Sequence, residues 1–172
     1  GLEPLLIERG ADATRRTRDV EHFNRTGELN ESSNIQFGLG GAGTFSDGKL
    51  TTGTKNPLHH LILQTFVEAG APREILWDAK PHIGSDILPA VVTDIVAQIE
   101  NLGGEVRFNT QMVDIARTTA GAISSITVSS ADAGGVKREE TIAASQLILA
   151  CGHSARDVFA LLSQRDFSLQ RK

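Results

Sequence analysis

The chain has 172 residues, 40% of them hydrophobic and 22% charged, with a formal net charge of −4. That length suits one domain with a core of its own, and an acidic balance with no basic run rules against a nucleic-acid binder. No apolar run approaches the ~20 residues that cross a bilayer, and no stretch reads as a signal peptide or lipidation motif.

Cys151 is the single cysteine, so a disulfide within the chain and a cysteine-built metal cluster are both excluded. A reducing cytoplasm is the expected location. No Met opens the sequence, an apolar run begins at once at Pro4, and the closing "SQRDFSLQRK" brings no evident final element. The expectation is a piece of a longer protein.

Residues 5–8 read as a short buried strand with a charged end, closed by Gly10. Residues 12–25 are polar and helical in pattern, with Val20 and Phe23 as apolar positions, and "TGELNESSN" is a polar loop. A short apolar run at 35–37 leads into a glycine-rich stretch. Leu58, Leu61, Ile62, Phe66, Val67 and Ala69 recur at helical spacing before Gly70. A connector follows, with a turn of helix expected at 73–77. Asp86 is the expected N-cap of a strong helix marked by Leu88, Val91, Val92, Ile95, Ile99 and Leu102, ended by Gly103 and Gly104. Residues 106–108 then form a strand. Residues 111–117, 123–129 and 137–143 have the look of an antiparallel meander, with turns at "TTAGA" and "ADAGG". "QLILA", residues 146–150, is a continuous apolar run of the kind buried inside a sheet, and a last helix is expected at 155–162, with Arg156 and Asp157 in its first turn. The predicted class is α/β: a parallel sheet with an inserted antiparallel β-meander.

The glycine-rich stretch "GLGGAGTFSDGKLTTG", residues 38–53, accepts two phosphate-binding patterns at once. Gly38, Gly40 and Gly43 satisfy G-x-G-x-x-G, and Gly43, Gly48 and Lys49 satisfy G-x-x-x-x-G-K. The dinucleotide fingerprint needs a strand before it and a helix after it. "NIQF" is a poor strand, and "TFSDGKLTTGTKNP" carries no helical stripe. The P-loop needs Ser or Thr after its Lys to hold Mg²⁺, and Leu50 stands there. A plain surface loop accounts for the glycines. It does not account for Thr44, Ser46, Asp47 and Lys49 among them. Small residues beside hydroxyls and one cation suit a backbone pressed against a polyanion.

"PLLIERG" has the form of the second strand of a dinucleotide-binding unit. Its terminal acid, Glu8, would accept hydrogen bonds from an adenosine ribose, with the phosphate fingerprint about 20 residues earlier. That position falls before Gly1. The plainer reading is a solvated acid that ends a strand.

Taken together, "PLLIERG", "NIQFGLGGAGTFSDGKLTT", "KPHIGSD", "IENLGGEVRFNTQMVDI" and "LILACGHSARD" closely resemble a family of uncharacterised bacterial FAD-dependent dehydrogenases. These are flavoproteins with two dinucleotide-binding domains and an FAD domain like that of glutathione reductase. The resemblance covers residues 4–162, and "GGAGTFSDGKL" with "GHSARD" is specific. It implies a partial Rossmann-like FAD-binding domain over 1–172, with the meander at about 105–143. Glu8, with Arg9 beside it, would bind the adenosine ribose of FAD. Gly40, Gly41, Gly43, Thr44, Ser46, Asp47, Gly48 and Lys49 would line the cofactor's phosphate and ribityl region. Val113 would touch adenine through its backbone, and Ala150 and Gly152 would let the chain pass close to the cofactor. Leu39 stands where an acid is expected, and Cys151 where a bulkier apolar residue is common.

The family also has an upstream G-x-G-x-x-G unit and a downstream substrate domain. The chain contains neither, so the activity is expected of the full-length protein and not of this piece alone. The implied function is that of an oxidoreductase on a small molecule of unnamed class, with NAD(P)H as a candidate electron donor and no nucleic-acid or membrane partner. Catalytic residues are not assigned. His82 and His153 lie in distinctive blocks and would suit proton transfer near a flavin or a structural hydrogen bond. His59 and His60 point apart on a helix and make a poor metal pair. Cys151 is expected to pack as a small side chain. Two other readings stay open: a non-catalytic piece whose glycine loop contacts a nucleotide or a partner chain, and, third, a P-loop-like NTPase.

Overall fold

The computed structural model describes residues 3–53, 55–131 and 136–170. Its elements divide between two units, Gly1–Phe108 and Asn109–Lys172, and the class is mixed α/β.

In the first unit, β1 (Leu5–Ile7) pairs in parallel with β2 (Glu105–Arg107), Leu6 opposite Val106. Parallel strands require a long crossover, and the residues between them supply three helices. Asp12 starts α1 (Ala13–Thr26) by accepting a hydrogen bond from the Arg15 N–H at 3.0 Å, and Gly27, at φ 78°, ends it by donating to the Phe23 carbonyl. Helix α2 (Leu58–Glu68) is followed by a 3₁₀ turn at Arg73–Leu76, as the connector predicts, and then by α3 (Leu88–Asn101).

The core of this unit is Ala69, Ala71, Ile75, Ile83, Leu88, Val91 and Val92, with Leu39, Leu50, Leu63 and Phe66 packed against it. Each large aliphatic side chain buried here is worth about 1.5–3 kcal/mol. Of the apolar positions expected along this helix, Phe66, Val67 and Ala69 turn to the core and the N-terminal three do not. Leu63, Phe66 and Val67 meet the core, while Leu58, Leu61 and Ile62 stay more than half exposed.

Asp86 does not cap α3. The cap position is Ile87, with no side-chain hydrogen bond. The Leu88 N–H donates to the Gly84 carbonyl, and the Ala90 and Val91 N–H groups donate to Ile87. That turn and Pro89, which has no N–H to satisfy, leave little for an acidic cap to do.

The second unit is a three-stranded antiparallel sheet, β3 (Thr110–Arg117), β4 (Ile123–Ala131) and β5 (Lys137–Ala143), in that order, with α4 (Arg156–Gln164) against β3. The "TTAGA" turn forms where expected, Thr118 N–H donating to the Ala122 carbonyl at 2.8 Å; most of "ADAGG" lies outside the described residues. Met112 and Ile115 are both buried although three apart, which a strict period of two forbids. A register shift between Met112 and Asp114 reconciles them by turning Ile115 back to the covered face. β5 carries Lys137, Arg138, Glu139 and Glu140 and is exposed along most of its length, charge that discourages further pairing at an edge.

The expected strand at 146–150 does not form. These residues belong to no strand, with Ile148 91% and Leu149 42% exposed. An apolar run becomes a strand only where a sheet edge offers partners for its N–H and C=O groups, and among the described residues it has none. Cys151, expected to be packed, is exposed for the same reason. The parallel sheet is therefore β1 and β2. Among the described residues no helix is long and apolar enough to cross a membrane.

Candidate ligand-binding site

The C-terminal end of β1 is where the first unit brings its distinctive residues together. The Glu8 N–H extends the pairing by donating to the Arg107 carbonyl at 2.9 Å. The Glu8 carboxylate turns back, and its Oε1 accepts from the Gly10 N–H at 2.6 Å; Oε2 has no hydrogen-bond partner among the described residues. Gly10 is buried against the glycine-rich stretch. A Cβ there would lie 2.5 Å from both Gly38 Cα and the Ser32 carbonyl oxygen. The Leu39 N–H donates to the Ala11 carbonyl at 3.1 Å. The loop thus begins just past the end of β1, the edge where open α/β sheets receive ligands.

The loop's glycines do different work. Gly38 (φ 114°) and Gly40 (φ 85°) turn the chain where side chains leave no room: a Cβ on Gly38 would lie 2.5 Å from Arg16 Cδ, and one on Gly40 would collide with Thr44 Oγ1. Residues Gly41–Phe45 make one 3₁₀ turn. A Cβ on Gly41 or Gly43 would meet open space. Asp47 and Gly48 then reverse the chain at positive φ, and Lys49 bridges to His82. The Leu50 N–H donates to the Pro81 carbonyl, the Ile83 N–H to Gly48 and the Gly84 N–H to Asp47. Among the described residues after Lys49 no helix begins before Leu58, so neither overlaid phosphate motif has the helix it needs there.

The residue that organises this loop escaped the sequence reading. Arg16 is 0% exposed. Its Nε donates to the Asn34 carbonyl at 2.9 Å and its Nη2 to the Ile35 carbonyl at 2.9 Å. Nη1 serves Leu39 O at 2.6 Å, Gly38 O at 3.2 Å and Thr44 Oγ1 at 3.3 Å. The guanidinium also lies 4.9 Å from the Phe45 ring centroid. Burial pulls its pKa down to about 10, against the raising influence of the Glu8 charge; it remains a cation at neutral pH. One signal was present in the sequence: residue 16 shares a helix face with Ala13 and Val20, which are also buried.

The remaining predicted residues sit as follows. The Arg9 guanidinium lies 5.7 Å over the Phe37 ring. Ser46 Oγ donates to the Ala42 carbonyl at 3.0 Å. Lys49 Nζ is 3.7 Å from Asp47 Oδ2, both side chains mostly in water, so the pair adds little stability. Thr44 is buried, and its hydroxyl faces Arg16 and the Leu39 carbonyl. Glu8, Arg9 and residues 40–49 thus share the first unit. Val113, Ala150 and Gly152 belong to the second. Val113 occupies the bulge of β3, Ala150 is exposed, and Gly152 has φ 73°. His82 and His153 are exposed, with His153 Nε2 3.3 Å from Ser154 Oγ. Among the described residues no group of three or more His, Cys, Asp or Glu is placed to hold a metal ion.

No protein-family model matches the chain. A protein of Clostridium beijerinckii, described as uncharacterized, is 42% identical over 172 residues, all of this chain. The chain spans 30% of that relative's length.

Proposed function

We propose that the protein is an FAD-dependent oxidoreductase and that these residues are part of its FAD-binding domain. One observation carries the reading: the Glu8 carboxylate, with one oxygen uncommitted, ends a parallel strand directly beside a loop whose Gly41 and Gly43 faces are clear. Glu8 accepts hydrogen bonds from the adenosine ribose. Arg9 neighbours it, and residues 40–49 receive the phosphate and ribityl portion, with Lys49 as an exposed point charge. Flavin, when bound, supplies the redox chemistry, and the chain supplies binding and orientation. A nicotinamide nucleotide is the proposed electron donor.

The test is the visible spectrum of the protein purified at its native length. A flavin band that leaves with the small-molecule fraction on denaturation supports the reading. A colourless protein that takes up no added FAD contradicts it.

A further inference from the structure

A cation buried without an ion pair is expensive, and an apolar side chain would fill the space between Ala13 and Val20 at lower cost. The Arg16 guanidinium has no contacting carboxylate among the described residues; its hydrogen bonds all go to residues 34–44. Those residues form no regular helix or strand before Gly41, so their carbonyls lack the partners that secondary structure provides. The guanidinium fork supplies them. It also sets the direction of a donor. In a trans peptide the C=O and N–H point opposite ways, and no peptide bond here is cis. With the Leu39 carbonyl held 2.6 Å from Arg16 Nη1, the Gly40 N–H points away from the buried cation. Gly40 is exposed, and its N–H has no acceptor among the described residues.

We propose that Arg16 is a positioning residue for the ligand site: it fixes the loop so that the Gly40 N–H and the clear faces of Gly41 and Gly43 are presented to an anionic ligand, and it sets a cation behind them. The ligand class is a dinucleotide diphosphate, and this inference rests on the FAD reading above.

The test compares wild type with Arg16→Lys, which keeps the charge and loses the fork, and with Val20→Ala, which trims the same buried helix face and removes no hydrogen bond to the loop. FAD affinity of the native-length protein is measured well below each melting temperature, alongside amide exchange. In Arg16→Lys, FAD binding weakens about tenfold or more, the scale of one charge-assisted hydrogen bond. The Leu39 and Gly41 amides exchange faster while Val91 in α3 does not. In Val20→Ala, affinity stays at the wild-type level although the melting temperature falls. Equal affinity in Arg16→Lys and wild type, or equal loss in both variants, overturns the positioning role. If Arg16→Lys does not fold, exchange in Phe45→Leu decides: faster Leu39 and Gly41 amides support the role, and unchanged ones overturn it. A wild-type protein that takes up no FAD overturns the functional reading instead, and loop exchange then decides the part played by Arg16.

Discussion

Gly10 and Gly38 meet backbone to backbone, so closely that a Cβ on Gly10 would lie 2.5 Å from Gly38 Cα. This contact seats the glycine-rich loop at the end of β1, and it separates glycines the fold requires from those it does not. Gly10→Ala must push backbone apart and is expected to cost about 1–3 kcal/mol, the range for overpacking. Gly43→Ala meets open space and should change stability by no more than about 0.5 kcal/mol. Urea unfolding of both variants checks the contrast.

In the second unit, Arg165 grips Asp114 through two hydrogen bonds of 2.6 Å. These bonds, with the Ile115 N–H as a further donor, hold the Asp114 pKa below its ordinary 3.8. A carboxylate whose folded pKa is depressed contributes stability that is complete above the unfolded pKa and lost as pH falls through the folded one. The wild-type advantage over Asp114→Asn should therefore be constant above about pH 4 and shrink below it. Parallel denaturant curves from pH 7 down to pH 3 measure this. An advantage that does not change with pH contradicts the assignment.

Magnesium and ATP together should leave the melting temperature unchanged. Leu50 follows Lys49, cannot ligate a metal, and is held by a hydrogen bond from its N–H to the Pro81 carbonyl at 2.9 Å. A Mg²⁺-dependent upward shift would restore the NTPase reading.

Glu8→Ala removes the proposed ribose acceptor. FAD affinity should fall by about 1.5–3 kcal/mol, the worth of a hydrogen bond to a charged group. Calorimetric titration of the native-length protein measures it, and unchanged affinity removes Glu8 from the site.

Local signals made much of this fold legible. The polar helical pattern that begins at Asp12, the apolar run before Glu8 and the turn-bounded segments of 111–143 each act within a few residues, and the structure places elements where they point. What escaped depended on distant partners. The run at 146–150 has the residues of a buried strand, yet a strand exists only against another, and its exposure follows from that. Asp86 has the right chemistry for a cap, but Gly84 and Ile87 carbonyls had already met the helix start. Arg16 reads as a solvated charge on a polar helix; its role lies in acceptors 18 to 28 positions later. Among the candidate residues, the glycine loop stood out by composition, while the division of labour among its glycines required the Arg16 and Thr44 side chains beside them.

The most direct measurement is an FAD titration of the native-length protein, wild type against Gly43→Val, with the melting temperature of each recorded. Gly43 has no positive φ and no neighbour within 4 Å of an added Cβ, so the fold tolerates a side chain there and a ligand lying against the loop does not. The account predicts saturable binding to wild type and its loss in Gly43→Val at an unchanged melting temperature. Equal affinity in the two proteins, or no binding to either, would contradict it.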